Sequence, residues 1–552
     1  MTGSGDQHGG RGPGGADIGA SHAVSRRQVL GWACGLTGCQ AVPTAPDATA
    51  PERAPVRQSA PRLAPSAAMD RQARYRLLNR ATWGVTAAEM QRIDRLGAQA
   101  WLSEQLQGPP ELALPEPIAQ RMAGLSISTQ DLSALTPTVE DMRLQIERQS
   151  QPEARQAATT KYQSELQRLL RECMSRHIWR ALYSPAQLRE HMTWFWLNHF
   201  NVHAYKANIR LMLGDYEETA IRPHALGRFR DLLGAAVHHP ALLRYLDNEQ
   251  NAAGRPNENL GRELLELHTL GVKGGYSQDD VQAVARVLTG HGVRLQPGEP
   301  RLPPQRAAQY RRRGLYEFNP ARHDYSVKTV MGQRLRSEGA DALNELLDRL
   351  ALHPSTARHL CRKLAQFFAA DAPDEAWVEQ LAQRYLLTEG HIGEVLQLLL
   401  LSPQVLQAPQ PVFKDPMHFV LSALRCSLEG HLIVNTLPVQ GWIARQGQGL
   451  YNRPSPDGYP LESSAWNASG QMGLRFEIAR QMANAPAALF RSESEPAAPS
   501  ARRDVLPLHT TPLYHEVIRP TLRLSTQETL AKALRPTDWT ALFLSCPDFM
   551  ER

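Results

Sequence analysis

Across 552 residues the chain contains no Cys-x-x-Cys, no His-Glu-x-x-His, no Gly-x-Ser-x-Gly, no phosphate-binding P-loop and no protein-kinase motif set. Zincin, α/β-hydrolase and nucleotide-driven chemistries are therefore disfavoured. No apolar run reaches the roughly 18–20 residues a spanning helix needs, so membrane contact is expected only through an anchor. Charge of one sign is also scarce. The formal net charge is +6 without a long Lys/Arg run, which gives nucleic-acid binding no support. Cysteine is sparse: Cys173, Cys361, Cys426 and Cys546 lie far apart, mostly inside apolar helical patterns, and read as small buried hydrophobes. No Rossmann glycine pattern, internal repeat or convincing series of strands is found.

What is present begins with an address. Ser25-Arg26-Arg27-Gln28-Val29-Leu30 reads as a twin-arginine export signal, with Arg26 and Arg27 as its pair. A short apolar run follows, then Leu36-Thr37-Gly38-Cys39, which matches a lipobox. Residues 1–38 are read as the signal and Cys39 as the lipid-bearing first residue of the mature chain. Gln40, rather than Asp, after that cysteine points to the outer membrane if the host has two. The expected location is the periplasm or cell envelope, lipid-anchored. Residues 39–69 are dense in Pro and Ala and read as an unfolded tether. Residues 70–552 read as one large helical domain.

From Asp70 onward the dominant period is helical. Residues 138–182 look like one or two helices broken near Pro152. Further helices fit 186–203, 225–238, 259–270 and 278–289. Others fit 340–351, 354–369, 374–385, 391–401, 415–428, 470–485 and 526–550. Long loops remain at 292–330, 429–468 and 489–525, with 489–503 reading as disordered. A small β-hairpin fits around 292–335. The fold class is all-α, a large multi-helix domain with long irregular loops.

Three segments carry polar groups where chemistry is plausible. In 186–203, Leu188, Met192, Phe195, His199 and Val202 recur at spacings of four and three, which sets His199 in an apolar stripe beside Asn198. A buried imidazole needs partners, and a core hydrogen bond, a metal or a general-base role would each supply them. In Asn257–Gly271, Asn257 suits an N-cap and Gly271 a helix stop. Glu263 and Glu266 share a face, Arg262 and Glu266 are spaced to pair, and His268 lies on the apolar side. The third segment is Phe318–Asp324, with His323-Asp324 on a loop and Lys328 after it. Ser277–Asp280 is a capping box. Arg453–Pro460 with Trp466 reads as a rigid loop that closes a cleft or covers the core.

Together these segments resemble a known bacterial family, the domain of unknown function 1800 (DUF 1800), over about residues 72–548. The resemblance rests on Leu78–Gly84, Phe195–Phe200, Tyr245–Asn248, Asn257–Asn259, Arg262–Gly271 and Leu288–Gly290. Tyr276, His323-Asp324, Lys328, Pro456–Pro460 and Trp466 complete it. Two departures exist: Leu197 stands where a second His is frequent, and His291 where Trp is frequent. The resemblance implies a helical, exported protein. It also implies a gene neighbourhood shared with a second exported family (number 1501) similar to alkaline phosphatases and sulfatases, whose member is a candidate partner. It implies no activity.

The expected catalytic set is His199, Glu263, Glu266, His268, His323 and Asp324. His199, Glu263, His268 and His323 are the candidate ligands of a divalent metal. Asn198, Asn259, Arg262, Lys328, Tyr459 and Trp466 are the candidate substrate contacts. The leading expectation is a metal-assisted or acid/base hydrolase-like enzyme acting on an envelope or extracellular substrate. The alternatives are a non-catalytic lipoprotein that positions a partner, and a wall-binding module built on loop Trp and Tyr.

Overall fold

The computed structural model describes residues 69–108, 113–407, 410–484, 486–492 and 507–552. Arg26, Arg27, Cys39 and almost all of the proposed tether lie outside the described residues, as do 493–503 of the segment read as disordered.

The described residues are predominantly helical, and local chemistry explains where the helices begin. Asp70 accepts from the Ala73 amide at 2.6 Å and opens the Arg71–Ala81 helix; Asp131 does the same for Leu132–Arg148. The expected break near Pro152 is real. Leu132–Arg148 ends before it, and Pro152 occupies the first turn of the 32-residue helix Pro152–Tyr183. Pro536 and Pro547 likewise divide the expected 526–550 helix into Leu524–Ala531, Pro536–Ser545 and Pro547–Met550. Ser277 and Asp280 form the expected capping box.

The 292–335 region departs from a single hairpin. Three short strands, β1 (His291–Val293), β2 (Arg311–Arg313) and β3 (Tyr316–Phe318), form an antiparallel sheet in the order β1-β3-β2. Phe318 stands opposite both His291 and Arg311. A second pair, β4 (Thr329–Val330) and β5 (Gln333–Arg334), forms a separate hairpin. Strands of two or three residues are too short to print an alternating pattern.

The Gln187–His199 helix runs through the middle of the protein: every residue in it except Arg189 is buried. It is therefore more than the striped surface helix its spacing describes. Beside it lies a buried ionic network. The Glu217 carboxylate accepts from the Tyr451 hydroxyl and pairs with His177 Nδ1 at 3.1 Å, with the Arg180 guanidinium at 4.0 Å. Glu217 sits in the widened turn Tyr216–Ile221.

The two ends of the described fold are tied together. Arg71 pairs with Glu516 at 2.7 Å, and Arg76 donates to the Leu406 carbonyl at 2.8 Å. Buried Arg80 donates to the carbonyls of Phe368 and Ala369. Cys173, Cys361, Cys426 and Cys546 are free thiols, as expected of apolar filler; burial pushes Cys173 and Cys426 up to about 12. Among the described residues no helix is long and apolar enough to cross a membrane.

Candidate active site

The site is built where three chain segments meet the carboxyl end of the Gln187–His199 helix. The first is the helix Asn259–Glu266, which stops short of the expected residue 270. Its final turn widens: the amides of Leu267 and His268 both reach the Glu263 carbonyl, and Leu270 reaches back to Leu265. Gly271, at φ +82°, then redirects the chain. The widening swings His268 toward His199, and the two exchange hydrogen bonds. His199 Nε2–H donates to the His268 carbonyl at 3.1 Å, and His268 Nδ1–H donates to the His199 carbonyl at 3.0 Å. The second bond satisfies a carbonyl at the helix end that has no partner within the helix.

The exchange fixes both tautomers. The remaining nitrogen of His199, Nδ1, accepts from Lys363 Nζ at 3.0 Å; that of His268, Nε2, is buried without a partner. Lys363 lies on the second segment, the helix Pro354–Phe368. One turn earlier, His359 Nε2–H donates to the Leu267 carbonyl at 3.1 Å. Burial, reinforced by the Lys363 ammonium, lowers all three imidazoles: His268 to about 3, His359 to about 4, and His199 well below its ordinary value. All three are neutral near pH 7. Burial also lowers the Lys363 ammonium, to about 8, against the pull of Asp457 and Glu462.

Glu263 is half-buried, and its carboxyl group has no hydrogen-bond partner among the described residues. Burial, then the nearby carboxylates of Glu266 and Asp457, raise it to about 7. Arg262 does not pair with Glu266. It bonds Glu258 at 3.0 Å and Gln278 at 2.9 Å, one turn back along its own helix and across to the next. Glu266 instead receives the Tyr276 hydroxyl at 3.4 Å. Asn257 accepts from the Asn259 amide at 2.9 Å, so it organises the turn into the helix, but the N-cap is Glu258, one residue later than expected.

The third segment is the loop 452–462. Asn198 grips it from both sides: its Nδ2 donates to the Tyr459 carbonyl at 2.9 Å and its Oδ1 accepts from the Tyr459 amide at 2.6 Å. Asn201 donates to the carbonyls of Arg453 and Ser455, and Tyr245 donates to that of Pro454. Trp466 Nε1 donates to the Pro460 carbonyl, and the Tyr459 hydroxyl to that of Gly449. Asn198, Tyr459 and Trp466, expected as substrate contacts, thus spend their polar groups on holding this loop, and all are buried. The loop presents Asp457, which is exposed and pairs with Arg453 at 3.3 Å. Its charge acts on Glu263, Lys363 and Tyr245 alike, which makes it the common neighbour of the site.

The expected set is divided by the fold. His199, Glu263, Glu266 and His268 belong to this region. His323 and Asp324 belong to the sheet region: His323 Nδ1–H donates to the Thr289 carbonyl at 2.7 Å, and its ring packs on Phe318 and Tyr325. Asp324 accepts from the Ser326 amide, and Lys328, buried, donates to the carbonyls of Asp324 and Ser326. Among the described residues no hydrogen bond, ion pair or ring contact links His323 to His199, His268 or Glu263. The four-residue metal set is not assembled. His199 has both nitrogens engaged and His323 lies elsewhere. Among the described residues, no group of three or more His, Cys, Asp and Glu side chains is placed to hold a metal ion.

Lys363, His359 and Asp457 were absent from the expected set. His359 and Lys363 are four apart on one helix face, a spacing visible in the sequence, but a lysine at the edge of an apolar stripe ordinarily marks solvent. No curated protein and no solved structure matches the chain. A family model described as "Protein of unknown function (DUF1800)" matches residues 76–551, nearly all of the described fold, and the chain belongs to that family.

Proposed function

We propose that the protein is an acid/base hydrolase of the cell envelope, acting on an envelope or extracellular substrate. In this reading it is exported through the Arg26-Arg27 signal and held to the membrane by lipid on Cys39. The observation that carries it is the contrast between two neighbouring carboxyl groups. Glu263 is half-buried, unpartnered at its carboxyl group and raised to about 7, so a large share of molecules carry its proton at neutral pH. Asp457 is exposed and ion-paired with Arg453 at 3.3 Å. Carboxyl groups separated in this way divide the work of hydrolysis: one protonates the leaving group and the other activates water.

The test is Glu263→Gln and Asp457→Asn against isolated envelope material, with products followed by mass spectrometry. Each variant is expected to lose about 100-fold or more of the release rate. Identical products from wild type and both variants would end the hydrolase reading. Glu263→Gln also has a signature in stability. A carboxyl whose folded value is raised to about 7, against about 4.3 unfolded, favours folding when protonated. That contribution is lost as pH rises from about 4.3 to about 7. The variant is expected to melt higher than wild type at about pH 8 and equally at about pH 4, by thermal denaturation.

For the address, Cys39→Ala is expected to leave an unlipidated chain that fractionates as soluble, and Arg26→Lys with Arg27→Lys to keep the precursor in the cytoplasm. Membrane retention of Cys39→Ala would refute the anchor.

A further inference from the structure

The cation of this site is the protein's own. An ammonium has three N–H donors, and that of Lys363 spends one on His199 Nδ1 at 3.0 Å. Among the described residues it makes no other hydrogen bond. The groups around it offer little compensation. His199, His268 and His359 are neutral; Asp457, the carboxylate that draws on it most, is itself paired with Arg453, and Glu462, which also draws on it, is exposed and makes no bond to it. A partly buried charge with a single neutral hydrogen-bond partner is costly unless something else receives its donors. His199 in turn is held from both ends: its Nε2–H is fixed by the His268 carbonyl, so Nδ1 can only accept. That arrangement aims the lysine rather than neutralising it.

We propose that Lys363 donates its free N–H groups to the carbonyl oxygen of an acyl substrate, so that the bond cleaved is an ester or amide. This rests on the acid/base reading above and deepens it. Asp457 takes a proton from water, and the resulting hydroxide adds to the carbonyl carbon. The carbonyl π pair moves onto oxygen, where the ammonium receives it. When the carbonyl re-forms, the alcohol or amine leaves with the proton from Glu263. The products are a carboxylic acid and the free alcohol or amine; Asp457 releases its proton to solvent and Glu263 takes one back, which resets both groups. A glycoside is disfavoured on charge. Its transition state is an oxocarbenium cation, which an adjacent ammonium would destabilise. Acyl transfer instead develops negative charge, and one well-placed donor is worth about 100- to 1,000-fold in rate.

The low lysine content makes the test direct. The chain has seven lysines, and the exposed Lys161, Lys273 and Lys532 serve as internal standards. Competitive acetylation of the folded protein across pH, mapped by mass spectrometry, is expected to show Lys363 reacting with a midpoint near 8, below the surface lysines. A Lys363 that labels only after denaturation is sealed in the interior, and the proposal falls. In parallel, para-nitrophenyl acetate and a para-nitrophenyl glycoside serve as probes. The expected result is ester cleavage, about 100-fold lower in Lys363→Met and partly restored in Lys363→Arg, with unchanged thermal midpoints. Rate should fall as pH rises through about 7 and about 8, because Glu263 and then Lys363 lose the protons they need. Ester cleavage untouched by Lys363→Met, or cleavage of the glycoside alone, overturns this inference and leaves the hydrolase reading standing. If neither probe is cleaved, that counts against the hydrolase reading, and the acetylation result then decides whether Lys363 faces a ligand.

Discussion

Replacing Gly458 by alanine is expected to unseat the loop 452–462 and abolish activity while most of the fold survives. Gly458 has φ +77°, a region that costs a residue with a side chain. A Cβ there would overlap the Asn198 carbonyl oxygen and lie 2.8 Å from Asn198 Oδ1 and 3.0 Å from Cγ. The obstacle is the backbone of a helix buried at every residue but Arg189, which has little room to retreat. The loop must move instead, and it loses the two Asn198–Tyr459 bonds as it goes. Backbone strain of about 1–3 kcal/mol adds to the loss of those bonds, each worth about 1–3 kcal/mol when a buried group is left unsatisfied. Since the loop can detach alone, global stability should fall by less than that sum. Hydrogen exchange by mass spectrometry is expected to show lost protection across 452–466, with Asn198→Ala giving the same pattern. Wild-type protection in Gly458→Ala would mean that the loop is not seated on Asn198 as described.

The second large effect is expected at Glu217. Glu217→Ala should cost about 3–5 kcal/mol, because it strips the anion from a buried network and leaves His177, Tyr451 and Arg180 without it. The pH dependence has a definite sign. Burial alone would raise Glu217, but His177, Arg176 and Arg180 overcome it and hold the carboxyl at about 2. A depressed folded value against about 4.3 unfolded contributes stability above about pH 4.3, and that is lost as pH falls toward about 2. Urea midpoints should therefore fall steeply for wild type between about pH 4.3 and about pH 3, and much less for Glu217→Gln. Parallel acid profiles in the two proteins would show that Glu217 does not carry this dependence.

These two residues also mark how far the sequence could be read. Glu217 belongs to a widened turn, and nothing in Tyr216–Ile221 distinguishes it from an ordinary helix by composition. The same device hid the end of Asn259–Glu266. Gly271 was visible as a stop, but the i–5 bonds that turn His268 away three residues earlier leave no mark on hydrophobic spacing. The all-α class, the break at Pro152 and the capping box at Ser277 were legible because periodicity and caps are local. His199 and His268 were legible as buried imidazoles, and their rings do meet, with centroids 5.7 Å apart. Their division of labour was not, since each bonds the other's backbone. Lys363 was passed over because burial of a lysine is decided by elements far away in sequence. His323 shows the converse: a polar dipeptide on a loop looked chemical, and its carbonyl partner at Thr289 gives it a local structural task.

The tie between Arg71 and Glu516 spans 445 positions, and that between Arg76 and Leu406 spans 330. A helix with such remote partners emerges from the ribosome long before anything exists for it to dock on. Loop closure on that scale comes late and slowly. Native docking of the opening helix is thus a post-translational event, and a nascent chain halted before residue 516 would carry that helix unlatched.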